Sequence, residues 1–324
     1  MLTSLFSELS AATESGEFFA SAISTERKDF LAKGAHGEPV FLIHDASPAI
    51  YAPGVQYRYV DVRFHNLCIV NARGVSVQDK FAIIACAPDV PELYDIFIKC
   101  FGAVIETLPA IAETKHINSV IQDILDLFRE LIKPSAIEIT GFWAELFVIK
   151  ISSRKFDLLR HWYNDPYERF DFSLENGFLE VKATTKTIRV HEFSLNQLRI
   201  PEDTHGLVAS LMMLPSHGGV GVMDLARDID QSISAYPDLR KKLWGNVAKA
   251  LGADFSQNLD RRFDWNFSKD SFRLYSSLDI PTFSEVLDSR ISNVRYAANL
   301  EGVESSLHEK LRVLYGFPEK RIDI

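Results

Sequence analysis

Apolar and polar positions along this chain change period several times, and each change predicts an element. Leu5, Phe6, Leu9, Phe18, Phe19 and Ile23 recur at helical spacing, which predicts a helical segment over about residues 3–24. From about residue 30 to residue 86 the runs shorten to VFLIH, YRYVDVRF, LCIVNA and FAIIACA, separated by Gly, Pro, Asn and Asp, which predicts a β-rich unit. Two helical segments follow, over about 91–111 and 116–132, the second with Ile117, Val120, Ile121, Ile124, Leu125 and Phe128 on one stripe. Lys133-Pro134-Ser135 breaks the pattern before an apolar helix over 141–149. Beyond it the spacing predicts a hairpin near residue 176 and a strand over 187–193. Ser194 then caps a short helix over 195–198, and a buried strand covers 207–214. The remainder reads as a turn at Ser216-His217-Gly218-Gly219, helices over 225–234 and 239–251, strands over 272–278 and 294–298, and a last helix over 305–315.

The hairpin carries the chemistry. Asn176-Gly177 suits a type I′ turn, because both central positions need positive φ. With those two as the loop, Ser173 faces Glu180 and Asp171 faces Lys182. Strand alternation then puts Asp171, Ser173, Glu180 and Lys182 on one face, and Phe172, Leu174, Leu179, Val181 and Ala183 on the other. Two carboxylates beside an ammonium make a hard-oxygen site for Mg²⁺ with a cation to orient water, an arrangement suited to phosphodiester hydrolysis. Upstream, Glu145 has Gly141, Phe142, Val148 and Ile149 as its helical neighbours, so its face is apolar. An acid there must be paired, metal-bound or protonated.

An Asp, a hairpin and then Glu-x-Lys, here Asp171 and Glu180-Val181-Lys182, resembles the signature of the PD-(D/E)XK nuclease superfamily. The wider pattern joins Gly141-x-x-x-Glu145, Asp171-Phe172, Glu180-Val181-Lys182 and His191-x-Phe193-Ser194-x-x-Gln197-Leu198. It is similar to a bacterial family grouped with that superfamily and associated with restriction and phage-defence gene clusters. The resemblance implies an α/β fold with a restriction-endonuclease-like mixed sheet flanked by helices, here between a β-rich N-terminal domain and an α/β C-terminal extension. It implies a Mg²⁺-dependent DNA endonuclease, with Mn²⁺ as a substitute ion. Asp171, Glu180, Lys182 and Glu145 would be catalytic, and metal ligation would come from the three acids and the main-chain carbonyl of Val181. Gln197, His191 and Ser173 are accessory candidates, and Lys186 and Arg189 are candidates for DNA contact. Two letters depart from the superfamily: Phe170 stands where Pro often precedes the Asp, and Pro201 where a Gln-x-x-x-Tyr motif would put Tyr.

Composition narrows the setting. The 324 residues are 47% hydrophobic and 24% charged, which fits a globular chain of several packed units. The divisions expected are 1–115 for the helix plus β-rich domain, 116–134 for a linking helix, 135–215 for the nuclease-like core and 216–324 for the extension. A net charge of −9 argues against DNA binding by the whole surface and requires local basic clusters. Lys150, Arg154, Lys155, Arg160 and His161, with Lys182, Lys186, Arg189 and His191, form a candidate basic lip. Arg240-Lys241-Lys242 with Trp244 and Lys249, Arg261-Arg262 with Trp265, and Tyr57, Tyr59 and Phe64 with Arg58 and Arg63 are further candidate contacts to nucleic acid. Cys68, Cys86 and Cys100 lie in apolar segments without metal spacing and read as buried thiols. No sustained apolar run suggests a membrane span, so a cytoplasmic protein is expected. Expected partners are DNA, a second copy of the chain, and defence proteins such as a methyltransferase or a helicase-like ATPase. The competing expectation is a non-catalytic nuclease-fold subunit that binds DNA or assembles a complex, and an RNA substrate is equally compatible with the metal chemistry.

Overall fold

The computed structural model describes residues 2–13, 17–48, 52–135, 137–163, 168–174, 177–198, 205–282, 290, 293–304, 312 and 316–317. The chain divides into two compact units: residues 1–133 with 235–248, and 134–234 with 249–324. Among the described residues no helix is long and apolar enough to cross a membrane.

In the first unit α1 (Leu2–Glu8) is followed by β1 (Glu17–Ala22), β2 (Phe30–Lys33), β3 (Pro39–His44), β4 (Val55–Gln56), β5 (Val60–Ala72) and β6 (Val75–Cys86). The strands run β1-β2-β3-β6-β5-β4, and β1 also pairs in parallel with β5, so the sheet closes on itself. The helix expected over 3–24 is therefore corrected to a short helix and a strand. Around Phe18 burial alternates with period two, Phe18 and Ala20 in and Phe19 out, and β1 has ladder partners on both sides. Phe18, Phe30, Leu42, Val70, Phe81 and Ile83 fill the interior. From Val60 on, the run YRYVDVRF shares one strand, β5, with LCIVNA, and its register with β6 shifts between Arg63 and Asn66, where His65 takes a φ of 54°. Helices α2 (Tyr94–Ile105) and α3 (Thr114–Glu130) follow, and the predicted stripe of α3 is buried throughout.

The second unit contains α4 (Ile139–Ile151), α5 (Lys155–Arg160), β7 (Phe172–Leu174), β8 (Gly177–Thr184), β9 (Val190–Ser194) and α6 (Leu195–Leu198). Then come β10 (His205–Met212), β11 (Pro215–Gly221), α7 (Val222–Ser232) and α8 (Pro237–Leu251), most of which belongs to the first unit. The chain continues through α9 (Phe255–Asp260), β12 (Arg262–Phe263), α10 (Trp265–Ser271), β13 (Arg273–Ser276) and β14 (Arg295–Asn299). A mixed sheet runs β13-β10-β8-β7, with β8 parallel to β10 and antiparallel to β7. Nearly all of α4 is apolar and buried, as expected for a helix covered on every side, and it packs between β8 and α7. The turn expected at Ser216 to Gly219 is corrected to strand. Those residues lie in β11, where Gly219 lets the backbone of Phe263 approach closer than any side chain would allow. The last helix, expected over 305–315, falls almost wholly outside the described residues.

Candidate metal centre on the hairpin

The register of the hairpin differs from the expected one. Leu174 pairs with Gly177, Ser173 with Phe178 and Phe172 with Leu179, so Gly177 opens β8, while Glu175 and Asn176 lie outside the described residues. Extending the ladder puts Asp171 opposite Glu180 and not Lys182. Long-range packing fixes this offset. Gly177 and Phe178 are already bound to His205 and Gly206 of β10, and Phe178 stacks on Phe170 with ring centroids 3.6 Å apart. Because the shift is two residues and the side-chain period is two, Asp171, Glu180 and Lys182 stay on one face.

Four side chains from three elements meet there. The Asp171 carboxylate, just before β7, accepts from the main-chain amide of Val181 at 2.6 Å. A strand residue points its N–H and C=O to the same side, so the Val181 carbonyl also lies on the Asp171 side of β8. Glu180 is 4% exposed. Its Oε1 accepts from Gln197 Nε2 at 2.6 Å and from Lys182 Nζ at 2.7 Å, while among the described residues no side chain bonds its buried Oε2. From α4, Glu145 Oε2 accepts from Trp162 Nε1 at 2.6 Å, and the Trp162 indole is stacked between Phe142 and Phe172. Lys182 Nζ also lies 5.4 Å from the centre of the Phe193 ring.

Burial and mutual repulsion raise all three acids above the ordinary carboxylate range. Glu145 is pushed up to about 8, chiefly by burial, with the Trp162 hydrogen bond opposing and the Glu180 charge adding. Asp171 is raised well above the usual carboxylate range by burial, then by Glu180 and Glu145. Glu180 is also raised by burial, against the pull of Lys182. Among the described residues no three of His, Cys, Asp or Glu close to ligating distance of a common point. The acids are tied instead to Trp162, Val181, Lys182 and Gln197.

Gln197 has two tasks. Its Oε1 accepts from Ser194 N at 2.9 Å, Ser194 Oγ accepts from Gln197 N at 3.3 Å, and this capping box starts α6 while leaving Nε2 for Glu180. Ser173 shares the face of Asp171, but among the described residues no hydrogen bond links its hydroxyl to the acids.

Two candidates are corrected. His191 is 3% exposed and held down to about 4, first by burial and then by the charges of Arg189 and Lys182, so it is neutral. With its other nitrogen bonded to the Ala183 carbonyl, its Nε2 accepts from the Ser210 hydroxyl at 2.7 Å. It braces β9 against β8 and β10 and does not reach the acids. Arg189, a candidate for DNA contact, is 7% exposed and donates to Ser210 Oγ at 2.7 Å and to Ser271 O at 2.6 Å. Lys186 is exposed.

Much of the expected basic lip is engaged as well. Lys150 pairs with Asp228, and Arg154 with Asp157 at 2.8 Å. In the further candidate clusters Arg262 pairs with Asp224 at 2.6 Å, Arg240 with Glu106, and Lys241 with Asp123 at 2.6 Å. Trp244 and Tyr59 are buried in their own unit. Trp162 was missed by sequence reasoning, since no motif marks the partner of a buried acid.

The site thus defines an acidic centre, three carboxylates and a lysine on one hairpin and its covering helix. The chain belongs to the family described as "Putative PD-(D/E)XK family member (DUF4420)", which matches residues 2–301. No curated protein and no solved structure matches the chain.

Proposed function

We propose that the chain is a metal-dependent endonuclease that hydrolyses DNA phosphodiester bonds. The observation that carries this reading is the meeting of three buried acids with one lysine, more carboxyl groups than one ammonium can neutralise once they ionise. The donor set suits a divalent ion: hard oxygens, a Glu180 Oε2 that no side chain bonds among the described residues, and a main-chain carbonyl on the same side of the strand. Asp171, Glu180 and Glu145 with the Val181 carbonyl would hold Mg²⁺, or Mn²⁺ in its place. When bound, the ion supplies charge neutralisation and Lewis acidity toward a phosphoryl oxygen. Lys182 holds and orients the attacking water and offers positive charge to the phosphate. Gln197 keeps Glu180 aimed, and Trp162 fixes the carboxylate of Glu145. The order α4, β7, β8, β9, α6, β10, with β10 parallel to β8, supports a restriction-endonuclease-like core. A restriction or phage-defence role, beside a methyltransferase or helicase-like ATPase, is the setting this reading favours.

The test is cleavage of supercoiled and linear DNA by the full chain with Mg²⁺, Mn²⁺ or EDTA, with Asp171→Ala and Lys182→Ala in parallel. Metal-dependent cutting lost in both variants is the expected result. Metal titration that finds no binding sensitive to Asp171→Ala, together with no cutting, would make the chain a non-catalytic subunit.

A further inference from the structure

Beside the acids lies a cavity of about 130 Å³ that Lys182 and Gln197 share with the hairpin site. Its other charged walls are Arg169, Arg295, Glu168 and Glu192. Arg295 comes from β14, where it pairs with Ser194 of β9 and so shares the face of that residue and of Glu192. Arg169 is anchored, its guanidinium 4.8 Å from the Phe170 ring and bonded to the Asn196 carbonyl. Lys182 is bonded to Glu180. Arg295 differs: it is exposed, and among the described residues no acid pairs with it.

The size decides what the cavity can take. At about 130 Å³ it has room for one phosphoryl group with its oxygens. Arg169, Arg295 and Lys182, the last already paired with Glu180, put cationic donors on its walls. A guanidinium without a carboxylate partner presents the forked donors that a phosphate accepts. The cavity also adjoins the carboxylate site, because Lys182 and Gln197 line it and are both bonded to Glu180.

We propose that this cavity is a phosphate seat for the DNA strand, and that Arg295 is the residue that grips the phosphate beside the one to be cut. The proposal rests on the nuclease reading for its substrate, but it is tested by binding alone. The probe is a fluorescein-labelled single-stranded oligodeoxynucleotide, bound to the full metal-free chain in EDTA and followed by anisotropy over a range of salt concentrations. Arg295→Ala should weaken binding about tenfold and reduce the salt slope by about one, and Arg295→Lys should recover most of the affinity. Glu192→Gln should act in the opposite direction and tighten binding about two- to fivefold, a gain that a misfolded variant does not give. Unchanged affinity and salt slope in Arg295→Ala, or absence of binding by wild type, overturns the seat and leaves the carboxylate centre untouched. Arg295-dependent binding without metal-dependent cutting upholds the seat and removes the nuclease reading. Tighter Arg295-dependent binding of the matching oligoribonucleotide upholds the seat and replaces DNA by RNA.

Discussion

Replacing Glu145 by Gln tests the electrostatic account of the site without reference to activity. The amide oxygen of Gln still accepts from Trp162 Nε1, so the hydrogen bond found at 2.6 Å is kept while the titration is removed. In the folded chain Glu145 is raised from its ordinary 4.5 to about 8, mainly by burial. The folded state therefore keeps a proton that the unfolded chain releases between those values. The stability linked to this group is complete below about pH 4.5 and lost as pH climbs to about 8. Each pH unit in the window is worth about 1.4 kcal/mol, so the metal-free protein loses at most about 3 kcal/mol through Glu145 between pH 5 and pH 7.5. The figure is a ceiling because Glu145 keeps some solvent contact. Urea unfolding in EDTA at the two pH values measures it, and Trp143, Trp162 and Trp265 make tryptophan fluorescence report chiefly on the second unit. The gap between Glu145→Gln and wild type should widen in favour of the variant as pH rises. Parallel stability curves would mean that Glu145 is ionised in the folded state, and the argument for a charge-starved centre would fall.

Two further outcomes follow from single contacts. Trp162→Phe keeps a ring between Phe142 and Phe172 but deletes the donor to Glu145, and it should weaken Mn²⁺ binding by about 10- to 100-fold in a direct titration; unchanged affinity would leave Glu145 out of the ligand set. Arg189→Met strands the carbonyls of Ser210 and Ser271 and should cost about 2–4 kcal/mol in urea unfolding, while oligonucleotide affinity measured at saturating folded protein stays at the wild-type value; a loss of affinity would return Arg189 to the DNA surface.

Local pattern determined a large part of this protein. The period-two alternation around residues 171–182 put Asp171, Glu180 and Lys182 on one face, and the face survived a register shift because an offset of two residues preserves it. The apolar surroundings of Glu145 marked an acid that needed a reason to be there, and Ser194 marked a helix start. Tertiary structure decided what local period leaves open. Whether Phe18 and Phe19 sit on a helix or a strand depended on partners supplied by β2 and β5, and the hairpin register depended on β10 and on the stack of Phe178 against Phe170. Which cations stay available depended on where the acids fall: Asp228, Asp157 and Asp224 take up Lys150, Arg154 and Arg262, while Arg189 is drawn inward by Ser210 and Ser271. Trp162 and Arg295 reach the site from separate segments. The reason is physical: a side chain's face is set by the residues next to it in sequence, whereas its partner is set by chain closure over distances that no periodicity encodes.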